Sequence, residues 1–201
     1  MRCSAAGRAW RGGRENCFGP AVKIDLLSGE AVTARLPELG GLLADAVQHG
    51  ASVGFVLPLA GGEVEAYWRT VGAEVSVGRK LLLAAFDEGG RLVGSAQLAL
   101  EPRANGRHRA EVQKVLVLAA HRRRALGAAL MARVEVEARV RDRTLLFLDT
   151  SVGAGGATEF YERLGYTLAG GIPDFAADPD GRLAPNAIYY KRLDASTPGA
   201  L

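Results

Sequence analysis

Cysteine is scarce: Cys3 and Cys17 are the only two in 201 residues, and they do not form a C-x-x-C pair. That excludes a disulfide framework and a thiolate zinc site, and it fits a reducing, cytoplasmic setting. The three histidines, His49, His108 and His121, are equally scattered. They show neither metal-ligand spacing nor the context of a serine–histidine triad, so no metal is expected. Long hydrophobic runs are missing as well. Nothing approaches the roughly 20 apolar residues of a membrane span, and no apolar segment of a signal peptide follows the N-terminal arginines. Charge of one sign is also in short supply. Within residues 1–20, four arginines (Arg2, Arg8, Arg11, Arg14) stand against Glu15 alone, an excess equal to the net charge of the whole chain, +3. The remainder is formally neutral, which counts against a nucleic-acid partner. Neither a Walker loop nor a G-x-G-x-x-G dinucleotide turn occurs.

What is present reads as one α/β domain over residues 21–194, preceded by a disordered basic extension (1–20) and followed by a flexible tail (195–201). A short strand is predicted near Val22 to Leu27. A helix carries Leu36, Leu39, Leu43 and Val47 on one face, and a second spans Glu63 to Val77. Strands follow at Leu81 to Phe86 and Leu92 to Leu100, joined by the hairpin signal Asp87-Glu88-Gly89-Gly90. Later come a strand at Thr144 to Thr150, a helix at Ala157 to Leu164, a strand at Tyr166 to Ala169, a turn at Asp178-Pro-Asp-Gly181 and a strand at Ile188 to Leu193.

The chain is organised around Glu111 to Leu130, EVQKVLVLAAHRRRALGAAL. The apolar run Glu111 to Leu118 suits a largely buried strand, on which Glu111, Gln113, Val115 and Val117 are expected to share one face. A basic turn, His121 to Arg124, leads into a helix. That helix should bury Gly127, Leu130, Met131, Val134 and Ala138, and turn Arg133, Glu135, Glu137 and Arg139 to solvent. A strand ending in a basic, small-residue turn at a helix N-terminus offers free amides and the positive dipole end to an anion, of which pyrophosphate is the natural guest.

This turn resembles the [Q/R]-x-x-G-x-[G/A] element with which GNAT-type N-acetyltransferases hold acetyl-CoA. Two registers compete. Arg124 to Ala129 matches the string literally, whereas Arg122-Arg-Arg-Ala125-Leu-Gly127 has the family's distance from Val117, with alanine at the first glycine; the second is preferred. Ala119 stands where a proline is usual. Further segments, HGASVGF, RAEVQKVLVL, LLFLDT, FYERLGY and DPDGRL-x-P-x-AIYYK, resemble the acetyltransferases that confer resistance to tabtoxin. The resemblance runs from about Ala21 to Leu193. It implies the GNAT fold, a mixed sheet of about six or seven strands flanked by about four helices, and transfer of an acetyl group from acetyl-CoA to the primary amine of a small molecule, an amino-acid-like toxin or antibiotic among the candidates. The backbone of Leu116 and Val117 would receive the pantetheine arm. Arg122, Arg123, Arg124, Ala125, Leu126, Gly127 and Ala128 would hold the pyrophosphate. An acyl-CoA sensor without turnover is the alternative, motivated by Ala119 and Ala125. No nucleic acid, membrane or metal enters this reading, and a homodimer is compatible with it.

Amine acetylation needs an acceptor for the ammonium proton, a donor to the oxyanion and a donor to the departing thiolate. Glu111, at the start of the central strand, is a candidate base, with pairing to Arg109 or Lys114 as the plain structural alternative. Asp149 is the second carboxylate, singled out by the same resemblance, with capping of Thr150 to Gly153 as its alternative. Tyr161 should lie about 100° round its helix from Phe160, where a phenol could reach the CoA sulfur; an amphipathic core tyrosine is the competing role.

Overall fold

A computed structural model describes residues 22–152 and 157–193. The expected N-terminal extension and C-terminal tail lie outside them. In chain order the elements are β1 (Lys23–Leu27), α1 (Gly29–Ala34), α2 (Leu36–Gln48), α3 (Glu63–Ser76), β2 (Lys80–Phe86), β3 (Leu92–Leu100), β4 (Arg109–Val117), α4 (Leu126–Arg139), β5 (Leu145–Ser151), α5 (Ala157–Arg163), β6 (Thr167–Gly170), β7 (Ala176–Ala177), β8 (Leu183–Ala184) and β9 (Asn186–Arg192). Seven strands make one sheet in the order β1-β2-β3-β4-β5-β9-β6, and β7 and β8 form a separate hairpin. Among the described residues only β4 and β5 pair in parallel; the other neighbours in this sheet are antiparallel.

Alternation along the strands divides the core into two layers. Leu82, Ala84, Phe86 and Leu116 pack with Val32, Leu39, Leu42, Leu43 and Trp68 of α1 to α3. Leu83, Ala85, Leu98, Val112, Leu146 and Leu148 pack on the other face with Leu130, Met131, Val134 and Tyr161 of α4 and α5. Each fully buried aliphatic side chain here contributes about 1.5–3 kcal/mol of transfer free energy, so the long apolar run of β4, covered on both faces, fastens the two layers together.

Three features of the fold differ from what the sequence suggests. The first concerns α1, which was not anticipated: six residues are too few to display a helical period. It is set instead by local chemistry, Ser28 accepting from the amide of Ala31 at 3.2 Å and Gly29 lying against Gly72 and Ser76 of α3. The second concerns α4. Glu135 and Glu137 do not face solvent; they are 9% and 6% exposed. Lys191 of β9 reaches Glu135 at 2.7 Å, while Arg133 and Arg141 clamp Glu137 at 2.8 and 2.6 Å, so both buried carboxylates are paired. Gly127, expected in the core, is half-buried at the helix start.

Candidate active site

The site begins with an irregularity in β4. Its register with β3 runs Glu111 to Ala99, Val112 to Leu98 and Gln113 to Gln97, and resumes with Leu116 opposite Ser95 and Val117 opposite Gly94. Two residues, Lys114 and Val115, therefore oppose the single residue Ala96. Lys114 takes φ +48° at this bulge. An extra residue reverses the parity of everything after it. Ala110 and Val112 face α4 before the bulge; after it Val115 and Val117 face α4, and Leu116 faces α2. Glu111 and Gln113 consequently lie on the face of α1 to α3, and the expected common face of Glu111 with Val115 and Val117 does not exist.

The bulged strand also leaves its parallel neighbour. Pairing of β4 with β5 stops at Glu111 opposite Phe147. Beyond that pair the strands diverge around a cleft of about 1620 Å³, lined by the ends of both, the start of α4, Phe160 and Tyr161 of α5, Tyr67 of α3, the loop after α2 and the β7–β8 hairpin. Leu57 donates its amide to the carbonyl of Pro179 at 2.8 Å, tying loop to hairpin across the cleft.

Most sequence-derived candidates meet there. Glu111, Asp149, Tyr161, Leu116, Val117, Arg122, Arg123, Ala125, Leu126, Gly127 and Ala128 all line the cleft, and Arg124 does not. Glu111 makes no ion pair with Arg109, which bridges Glu101 at 3.0 Å instead. Asp149 lies within β5, opposite Ile188, on the same face as Glu111. Tyr161 comes from the opposite layer. Its ring is 9% exposed and its hydroxyl has no hydrogen-bond partner among the described residues. Burial first, then the negative charge of Asp149, push its pKa up to about 12. The plain core role therefore holds for its ring, while its hydroxyl remains uncommitted.

At the far end the chain makes a turn of helix at Ala119–His121 and then two left-handed residues, Arg123 (φ +61°) and Ala125 (φ +60°), before α4. Ala125 is the N-cap and supplies no side-chain cap. No acceptor within the described residues takes the amides of Arg123 through Ala128, whereas Ala129 closes the first helical bond to Ala125 at 3.0 Å. Such a run of outward amides is an anion nest. The turn is braced from below: Asp45 of α2 accepts from the amide of Ala119 at 2.9 Å, and Arg122 Nε donates to the carbonyl of Val117 at 3.1 Å. Gly127 packs closely under α5: a Cβ there would stand 3.3 Å from the Phe160 ring, which would have to give by a few tenths of an ångström.

A sequence model of the Acetyltransferase (GNAT) family matches residues 59–166, more than half of the chain, with β4, α4, β5 and α5 inside the match. The chain belongs to the GNAT acetyltransferase family. Solved structures agree on the fold. The ribosomal-protein-alanine N-acetyltransferase of Brucella melitensis is similar at 23% identity and TM-score 0.70, over 85% of this chain and 99% of that one. Salmonella typhimurium yncA, solved with its cofactor acetyl-CoA, is similar at 19% and 0.70, over 90% and 99%. The phosphinothricin acetyltransferase of Sinorhizobium meliloti, in complex with acetyl-CoA, is similar at 18% and 0.70, over 85% and 88%. The expected fold is thus found, with seven strands in the mixed sheet and five helices among the described residues. The GNAT domain contains no helix long and apolar enough to cross a membrane, among the described residues.

This acetyltransferase's cleft also holds groups that sequence reasoning passed over. Tyr67 sits beneath the bulge and exchanges hydrogen bonds with buried Gln97 at 2.9–3.1 Å. Lys114 places its ammonium 5.7 Å from the Tyr67 ring centre. The available signal was a lysine next to glutamine in an otherwise apolar strand, two polar neighbours that simple alternation cannot bury on one face.

Proposed function

We propose that the protein transfers the acetyl group of acetyl-CoA to the primary amine of a small, amino-acid-like molecule, as the tabtoxin-resistance acetyltransferases do. The observation that carries this reading is the two-sided opening between β4 and β5. Free amides and arginines lie at one end, two carboxylates on one face of the sheet, and a buried phenol on the other.

The residues fit acetyl-CoA. The unpartnered amides of residues 123–128, with Arg122 and Arg123 beside them, suit a pyrophosphate. Ala125 supports the register Arg122-x-x-Ala125-x-Gly127, because its left-handed backbone is what a glycine at that point would adopt freely. Beyond Glu111, β4 has no strand partner on the β5 side, so its backbone can hydrogen-bond the amide groups of an extended pantetheine arm. The bound co-substrate supplies the activated acyl group; the protein supplies position and proton traffic.

The acceptor enters from the side of α1 to α3, where Glu111 and Asp149 attract its ammonium. Once a carboxylate takes a proton, the neutral amine nitrogen forms its bond to the acyl carbon; as the carbon–sulfur bond then breaks, the nitrogen sheds its second proton, which restores the Tyr161 phenol after that phenol has protonated the sulfur. Tyr161, neutral at physiological pH, donates its proton to the departing sulfur. Bringing the two reactants through opposite sides of one gap accounts for much of the rate by orientation alone.

The test is thiol release from acetyl-CoA with a panel of small primary amines and amino acids, followed by mass measurement of the product. Acetylation of amino-acid-like amines supports the proposal. Acetyl-CoA binding with no turnover of any small amine, or turnover only of a protein N-terminus, overturns it.

A further inference from the structure

Among the described residues, Lys114 is the one cation in the acceptor half of the cleft with neither a hydrogen bond nor an ion pair; only the face of the Tyr67 ring meets its charge. Its ammonium lies 5.7 Å from the Tyr67 ring centre and 3.9 Å from where a Cβ on Gly54 would be. The neighbouring lysine is treated differently: Lys80 is held by Glu74 and by Gln113, both at 3.0 Å. Lys114 owes its direction to the bulge, whose positive φ turns a residue that should point toward α4 back toward α3 and the cleft. Such a backbone is strained for a lysine, whose Cβ crowds the chain there.

The surroundings define what would satisfy it. Glu111 and Asp149 lie near enough to act on Lys114 electrostatically, yet neither bonds to it. Burial and then Lys80 lower the affinity of Lys114 for its proton, against Asp149 and Glu111, which raise it, and an anion beside the ammonium acts in the same direction as those carboxylates. Gly54 lies beside the ammonium, where a Cβ would come to 3.9 Å, and the Tyr67 ring stands on another side with its centre at 5.7 Å. A ligand with an ammonium at the carboxylates and an anionic group at Lys114 satisfies every charge at once.

We infer that Lys114 is a specificity-determining residue that binds the carboxylate, or an equivalent anionic group, of the acceptor, so that the protein prefers zwitterionic amino acids to the corresponding simple amines. This deepens the proposed function and rests on it: the same site, with one further demand on the substrate. A bare amine would leave the ammonium unpaired beside its own positive charge.

The test uses matched probes: L-lysine with cadaverine, L-ornithine with putrescine, and L-phenylalanine with phenethylamine. Wild-type protein should acetylate the acid of a pair at least about tenfold more efficiently in kcat/KM than the amine, and Lys114→Met should bring that ratio near one. Lys114→Arg should retain part of the preference. Equal ratios in wild type and Lys114→Met overturn the inference while leaving acetyl transfer to small amines intact. If no probe is acetylated, the proposed function itself fails, and a second arm still decides the role of Lys114. Calorimetric binding of the three acids to CoA-saturated protein should be lost in Lys114→Met, whose folding is checked by unchanged CoA affinity. Acid binding equal in both proteins, or absent from wild type, refutes the assignment, as does an acetyl group found on Lys114 itself.

Discussion

Tyr161→Phe removes a single oxygen on which the proposed proton traffic depends. The ring meets Phe160 at 5.1 Å, Tyr166 at 5.9 Å and Tyr189 at 6.1 Å between centroids, and all of these contacts survive the change. No hydrogen-bond partner is orphaned, so stability near neutrality should change by less than about 1 kcal/mol. Rate should change more. General acid catalysis is worth roughly 10²- to 10⁴-fold, and a thiol of ordinary pKa about 8.5 leaves well unaided, which puts the loss near the lower bound, about 2.7 kcal/mol in the barrier. KM for acetyl-CoA should hardly move, because donation develops in the transition state.

The same substitution carries a pH signature. The phenol's pKa rises from its ordinary value of 10.0 to about 12 in the folded protein, chiefly through burial. Between those values the unfolded chain has lost the proton and the folded one keeps it, so stability falls as pH rises and is unaffected below pH 10. Two units correspond to on the order of 2–3 kcal/mol by pH 12, and about 1 kcal/mol at pH 11. Tyr67, whose pKa burial also raises to about 12, contributes equally to both proteins and cancels in the comparison. Urea unfolding at pH 8 and pH 11 should therefore show wild type losing about 1 kcal/mol more than Tyr161→Phe. Equal alkaline losses would contradict the buried phenol, and an unchanged kcat would assign the thiolate's proton to another source.

Glu111→Gln should depress kcat/KM most at low pH, where little free amine exists without a base to collect its proton; an unaltered pH–rate profile would make Glu111 structural. Ala125→Gly should tighten acetyl-CoA slightly. Ala125 is the left-handed N-cap and not a helix-interior residue, so relief of backbone strain offsets the added freedom of the unfolded chain and stability should stay within about 1 kcal/mol of wild type; looser binding would favour the Arg124 register. Gly127→Glu should raise the acetyl-CoA KM strongly, both by placing a carboxylate among the free amides and by displacing Phe160, which leaves 3.3 Å for a Cβ; an unchanged KM would locate the phosphates elsewhere.

The parts of this molecule that were legible in its sequence are those governed by local period and punctuation. Strand β3 begins and ends where its apolar run does, and α2 follows the spacing of Leu36, Leu39, Leu43 and Val47. The hairpin glycine Gly90 takes the positive φ its place demands. Errors arose where side-chain pairing overrides the period. Glu135 and Glu137 occupy positions that helical periodicity turns outward, and they are buried because Lys191, more than fifty residues later, and three arginines of the same stretch close over them. The bulge was illegible for a related reason: it falls on a lysine and not a glycine, and only the register against Gln97 and Ser95 reveals the extra residue.

That one inserted residue links the fold to the chemistry. Without it, β4 would keep its alternation, Val115 would follow Glu111 and Gln113 onto the face of α3, and the strand could continue pairing with β5 past Phe147. With it, β4 turns away, opening the sheet at the level where Glu111 ends the paired segment and Asp149 continues alone. The opening admits groups from both faces, so carboxylates mounted on one layer and a phenol mounted on the other, which regular strands would hold apart, act on a common space. Asp149 already raises the pKa of Tyr161 through that gap. The backbone strain at Lys114 is thus sustained by the two packed layers on either side, and it sets in one step the cleft, the direction of Lys114 and the separation of donor from acceptor.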